Sequence, residues 1–170
     1  MAAASFVADS TGRLLWPGGA ARCALGRSGV VPAAVKREGD GATPLGAWPM
    51  RCLFWRPDRL DRPATALPME ALIPEAGWCD DPADPFYNRP VILPYPASHE
   101  RLWREDTIYD LIVELGYNDA PVVPGRGSAI FLHLARPDYA PTEGCIACAR
   151  EDLLALLAAA KPGDGLEIMR

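Results

Sequence analysis

Near neutral pH, the side chains in this sequence best suited to proton transfer and nucleophilic attack are His99, His133 and five cysteines: Cys23, Cys52, Cys79, Cys145 and Cys148. One pair stands out by its spacing. His133 lies in the apolar run Ala129-Ile-Phe-Leu-His-Leu134, and twelve residues later Cys145 lies in Thr142-Glu-Gly-Cys-Ile-Ala147. Strand alternation in the first run puts Ile130, Leu132 and Leu134 on one face and Phe131, His133 and Ala135 on the other. A cysteine nucleophile needs a base for its proton, backbone N–H groups for the developing oxyanion, and little bulk beside it. His133 offers the base. The loop from Arg136 to Glu143 is long enough to return Cys145 to a strand alongside, and Gly144 leaves space and permits a backbone that turns successive N–H groups outward. Such a histidine is expected to lower the thiol pKa. The structural alternative is a hydrogen-bonded strand histidine without chemistry.

The remaining features have competing structural readings. Cys145 and Cys148 spell C-x-x-C, the spacing of a redox pair or half a zinc site, but in a strand Cys148 faces away from Cys145 and into the core. His99, between Ser98 and Glu100, reads as loop surface. Trp78, Trp103 and Tyr109 read as core aromatics, with a cleft-lining role as the alternative. Gly125-Arg-Gly127 is too short a pattern for a phosphate site.

Short strands must carry this chemistry. The 170 residues fit one domain, 1–170, and a composition of 49% hydrophobic and 23% charged residues supports a packed core. Fifteen glycines and 18 prolines predict many turns. Strand-like runs are expected at Ser5 to Ala8, Leu14 to Trp16, Arg22 to Leu25, Trp48 to Trp55, Ile108 to Tyr117, Ala129 to Leu134 and Leu166 to Met169. In the fourth run Trp48, Met50, Cys52 and Phe54 share a face, and Pro49 marks a start or an edge. Lys36 to Gly46 reads as loop, and the proline-punctuated stretch from Arg56 to Pro96 as a long excursion rather than regular sheet. One helix is expected, Glu151 to Ala160, with acids in its first turn and Pro162-Gly163 as its stop. The fold class is therefore mainly β with one C-terminal α-helix and long loops. A net charge of −5 excludes a global polyanion-binding surface, and no apolar run approaches bilayer-spanning length, so a soluble chain is expected. The first ten residues lack the basic and apolar regions of a signal peptide.

The stretch from Gly127-Ser-Ala-Ile-Phe-Leu-His133 through Thr142-Glu-Gly-Cys-Ile-Ala147 resembles the active-site motif of the L,D-transpeptidase catalytic domains, the YkuD-like family of bacterial cell-wall enzymes. Glu38-Gly-Asp-Gly-Ala-Thr-Pro-Leu-Gly46 is similar to a second signature of that family, and Gly116-Tyr-Asn118, before the histidine, also resembles it. The resemblance implies a β-sandwich or mixed sheet presenting histidine and cysteine at one end of a cleft. It implies peptidoglycan stem peptides as donor and acceptor, and a periplasmic or cell-envelope location. In that reading Cys145 is the nucleophile, His133 the general base and then acid, and Gly144 and Cys145 supply oxyanion-hole N–H groups. A backbone carbonyl commonly orients the imidazole. Carbapenems are implied as covalent inhibitors, and no metal or organic cofactor is called for. Hydrolysis by the same site, as an L,D-carboxypeptidase or amidase, and a silent wall-binding module are the alternatives. Two departures matter: many members have arginine two places after the cysteine, where Ala147 stands, and glycine directly after the histidine, where Leu134 stands. Arg126, Arg136 and Arg150 are candidates to replace that arginine, and Asn118 and Thr142 are further candidates for substrate contact.

Overall fold

The computed structural model describes residues 5–170. Its strands are β1 (Phe6–Asp9), β2 (Arg13–Trp16), β3 (Gly19–Ala24), β4 (Val30–Pro32), β5 (Thr43–Trp55), β6 (Met69–Ala71), β7 (Ala76–Cys79), β8 (Pro90–Ile92), β9 (His99–Arg101), β10 (Leu111–Leu115), β11 (Phe131–Leu134), β12 (Ile146–Cys148) and β13 (Gly165–Met169). The only helix among the described residues is α1 (Arg150–Ala159). The chain is thus mainly β with a single C-terminal helix. That helix is neither long nor apolar enough to cross a membrane.

Most of the strands form a mixed sheet that closes on itself. From β5 the pairing runs through β13, β1, β2, β3, β12, β11 and β10 and back to β5. Closure is possible because β5 changes partner along its length. Gly46 to Pro49 pair with β13, and Met50 to Trp55 pair with β10. Pro49, which has no N–H to give, sits at that change of partner, and its carbonyl accepts a hydrogen bond from Gly116 N–H at 2.8 Å. The register then slips, with Leu115 opposite Met50 but Glu114 opposite Cys52, so Arg51 is an extra residue in the ladder.

This bulge overturns the single face expected for Trp48, Met50, Cys52 and Phe54. Trp48 and Met50 pack into the main core, whereas Cys52 and Phe54 pack into a second apolar cluster on the other side of the sheet. An inserted residue reverses every side chain beyond it, which alternation alone does not reveal.

The main core lies inside the closed sheet. It includes Phe6, Leu14, Leu53, Val113 and Leu132, and α1 adds Leu153, Leu156 and Leu157. The acids Glu151 and Asp152 occupy the first turn of α1, where they complement its dipole. Each face of β10 and β11 is buried, so their sequences, Leu-Ile-Val-Glu-Leu and Phe-Leu-His-Leu, are nearly continuously apolar.

The second cluster comprises Phe54, Trp78, Leu102, Tyr109, Ile112, Phe131 and Cys145 with their neighbours. Its cover is a separate antiparallel sheet in the order β8-β7-β9. The stretch read from sequence as an irregular excursion therefore holds regular structure. These strands are three or four residues long and bounded by prolines, too short to show a period. Trp78 meets Phe131 edge to face, with centroids 5.1 Å apart, which seats the small sheet on β11.

Candidate active site

β11 and β12 are adjacent and parallel, with His133 opposite Ala147 and Leu132 opposite Ile146. Cys145 lies two residues before Ala147 and therefore faces the same side as His133. Both line one cavity of about 490 Å³ between the closed sheet and the small sheet. Cys148 is turned the other way, fully buried in the main core, while Cys145 belongs to the second cluster. The C-x-x-C spacing thus yields no facing pair, and no group of three or more His, Cys, Asp or Glu among the described residues is placed to hold a metal.

Local geometry fixes the cysteine. Its Sγ–H donates to the Ala129 carbonyl at 3.1 Å, and Phe131 N–H donates to the sulfur at 3.4 Å. Gly144, immediately before it, has φ +138°, and a Cβ there would stand 2.8 Å from the Ala42 carbonyl oxygen. Glycine is therefore required by conformation and by space together. The Thr142 hydroxyl donates to the Cys145 carbonyl at 2.6 Å and accepts from Gly144 N–H at 3.1 Å, tying the turn around the nucleophile. Thr142 is in turn anchored to the β3–β4 connection: its N–H donates to Leu25 O at 3.0 Å and its carbonyl accepts from Arg27 N–H at 2.8 Å.

His133 is 5% exposed, and its Nδ1 lies 2.9 Å from the Leu134 carbonyl oxygen. A carbonyl only accepts, so Nδ1 carries the proton and Nε2 of the neutral ring keeps its lone pair. The Tyr109 ring stands edge to face against the imidazole at 5.1 Å. Burial lowers the His133 pKa to about 4, against the opposing pull of the Leu134 carbonyl and with help from Arg104 and Arg136. Burial, reinforced by the negative charge of Glu100, pushes the Cys145 thiol up to about 12. The thiol pKa is thus raised rather than lowered, because desolvation and Glu100 outweigh the Phe131 N–H and Lys36, which act the other way. The resting pair is a neutral thiol and a neutral imidazole.

The opposite wall comes from residues that sequence reading did not assign to the site. His99, read as loop surface, is on β9 and faces the cavity, with Nδ1 2.8 Å from Ala97 O. The neighbouring Glu100 accepts a short hydrogen bond from the Tyr109 hydroxyl, and burial raises its pKa. Arg104 lines the rim, held by two bonds to Asp106 at 2.8 and 2.6 Å, its guanidinium 5.5 Å from the Tyr109 ring centre. Lys36, 2% exposed, donates from Nζ to Asp40 at 2.7 Å and also lines the cavity.

Of the arginines considered from sequence, Arg136 lines the cavity with a half-exposed side chain 4.0 Å from Asp106. Arg126 is tied to Ala34 O at 3.0 Å and Arg150 to Asp110 at 3.0 Å, both outside the lining. Asn118 is also outside it. Its amide donates to Val123 O and Gly127 O and accepts from Val123 N–H, which braces the loop before β11.

The family model described as the L,D-transpeptidase catalytic domain (YkuD) matches residues 4–168. The chain belongs to this family. Neither the curated proteins nor the solved structures yield a match. Membership in the L,D-transpeptidase family connects the chain with peptidoglycan-directed catalysis. Within an L,D-transpeptidase domain, Ala147 opposite His133 leaves the strand beside the cysteine without a cation, and the cations at the cavity come from Lys36, Arg104 and Arg136 instead.

Proposed function

We propose that this L,D-transpeptidase domain acylates Cys145 with a carbonyl of a peptidoglycan stem peptide and transfers the acyl group to an amine of a second stem, forming a cross-link. The observation that carries the reading is the placement of His133 on β11 and of Cys145 immediately before the adjacent parallel β12, in one cavity, with Nδ1 of the imidazole committed to a backbone carbonyl. That commitment leaves Nε2 as the base.

As the thiol adds to the carbonyl carbon, its proton passes to Nε2, and the carbonyl oxygen becomes an oxyanion facing the N–H groups of Gly144 and Cys145. Gly144 N–H exchanges its Thr142 partner for that oxyanion. Collapse breaks the scissile C–N bond, Nε2–H protonates the departing amine, and a thioester remains on Cys145. The acceptor amine then adds to the thioester, loses its proton to Nε2, and leaves an amide and the thiol. Because thiol and imidazole are both held neutral, thiolate formation coincides with attack rather than preceding it. Arg104 and Arg136 hold a carboxylate of the stem at the rim, in place of an arginine on the cysteine strand. The substrate chemistry corresponds to a cell-envelope location.

The experiment is incubation with purified disaccharide-tetrapeptide muropeptides and mass spectrometry of the products. A cross-linked dimer lacking one amino acid, absent with Cys145→Ala, is expected. Hydrolysed monomer alone would replace transpeptidation with carboxypeptidase activity, and product from Cys145→Ala would refute the assignment of the nucleophile.

A further inference from the structure

The thiol of Cys145 is aimed by the Ala129 carbonyl, and Ala129 is itself an unusual residue. It has φ +53°, in the left-handed region that a non-glycine residue occupies only when its surroundings hold it there. Something must hold it there. Its N–H donates at 3.0 Å to Oδ1 of Asn88, a residue 41 positions earlier in the turn between β7 and β8.

Asn88 is 5% exposed and its side chain is fully engaged. Oδ1 accepts from Ala129 N–H and from Trp78 Nε1–H, both at 3.0 Å. Nδ2 donates to Tyr117 O at 3.1 Å and to Asn118 O at 2.8 Å. Two donors facing the oxygen and two carbonyls facing the nitrogen leave the amide one orientation. Asn88 has φ +55° and is pinned through its own N–H to Cys79 O at 2.9 Å. One side chain therefore joins the small sheet, the turn that follows β10 and the residue whose carbonyl holds the nucleophile.

We propose that Asn88 is a positioning residue for the nucleophile: by holding Ala129 N–H it keeps residue 129 in the left-handed conformation in which the carbonyl of the following peptide points at Cys145 Sγ. It makes no contact with the reacting atoms. Without it, Ala129 relaxes toward negative φ, its carbonyl swings away, and the sulfur keeps only the longer Phe131 N–H contact of the two that fix its rotamer relative to His133 and an incoming carbonyl. The inference rests on Cys145 being the group that is acylated.

The test is the second-order rate at which a carbapenem acylates the full chain, followed by intact mass, in a cycle of Asn88→Gly and Ala129→Gly. Glycine at 88 keeps the positive φ and removes only the side chain, and glycine at 129 adopts positive φ without being held. Asn88→Gly is expected to slow acylation at least tenfold in the Ala129 background and less than threefold in the Ala129→Gly background. Equal losses in both backgrounds would make Asn88 a merely structural anchor and overturn the proposal, as would no loss in either. Asn88→Asp, which keeps the acceptor for Ala129 N–H and loses both donors, covers the case in which Asn88→Gly does not fold. Acylation within threefold of the parent is expected, and a tenfold loss overturns the proposal. Absence of any adduct on the unsubstituted protein would overturn this inference together with the nucleophile assignment, whereas an adduct there with unchanged variant rates overturns this inference alone.

Discussion

Burial of His133 makes a quantitative prediction about acid. Its pKa is about 4 in the folded protein against an ordinary 6.5, because charging the ring inside the second apolar cluster is unfavourable. A group with a depressed folded pKa contributes nothing against stability above its unfolded value and becomes a liability as pH falls toward its folded value. Between pH 6.5 and 4 the unfolded chain binds this proton and the folded chain does not, so stability must decline as pH is lowered. From these two values the loss attributable to His133 is about 2 kcal/mol at pH 5 and about 3 kcal/mol at pH 4, relative to pH 8. Urea unfolding of the parent and of His133→Gln, followed by tryptophan fluorescence at several pH values from 8 to 4, isolates this share from that of the carboxylates. The difference between the two proteins should shift in favour of the variant by those amounts. The same burial keeps the base unprotonated, so the acid limb of carbapenem acylation should fall nearer pH 4 than pH 6.5. A constant stability difference across the range, together with an acid limb near 6.5, would refute the claim that the imidazole is held neutral by desolvation.

Other substitutions report on the frame around the pair. Gly144→Ala forces a Cβ to within 2.8 Å of Ala42 O at a positive φ, and should cost at least about 2 kcal/mol in thermal unfolding while suppressing the adduct on Cys145. Cys148→Ala removes a sulfur from the main core, so a loss of about 1–2 kcal/mol is expected, with the rate of acylation at Cys145 unchanged within twofold. Asp110, 1% exposed, pairs with Arg59 at 2.8 Å and Arg150 at 3.0 Å. Its replacement in Asp110→Asn should destabilise the chain by about 2–3 kcal/mol in chemical denaturation, discounted for the partly exposed arginines.

How much could be read in advance followed sequence distance. Alternation within six residues put His133 on the face of Phe131 and away from Leu132, and a spacer of about a dozen residues was enough to anticipate Cys145 beside His133, although it stands just before the neighbouring strand β12 rather than on it. Cys148 in the core followed from the same parity. The other wall was not legible. Glu100, Arg104 and Lys36 reach the cavity from segments 41 to 109 residues before Cys145, and each sits in short polar sequence with no period, whereas Tyr109, for which a cleft-lining role was the alternative reading, does line it. His99 and the three-residue strand that carries it lay in a proline-rich stretch where turn signals outnumber strand signals. The bulge at Arg51 escaped because one extra residue in a ladder depends on the partner strand, which alternation within β5 does not register.

The seam between the first and last strands has a consequence for how the molecule is made. β1 pairs in parallel with β13, Phe6 against Leu166 through Asp9 against Met169, and β13 also fills the place between β1 and β5. A growing chain emerges from the ribosome with β1, β2 and β3 already able to form a meander, yet ring closure waits until β13 has been made. Until then β1 and β5 each present an unpaired edge, the surface most prone to pair with another chain. The whole span from β1 to β13 is needed for this longest-range contact, so the domain should fold late and cooperatively, and nascent chains should depend on chaperones that shield strand edges.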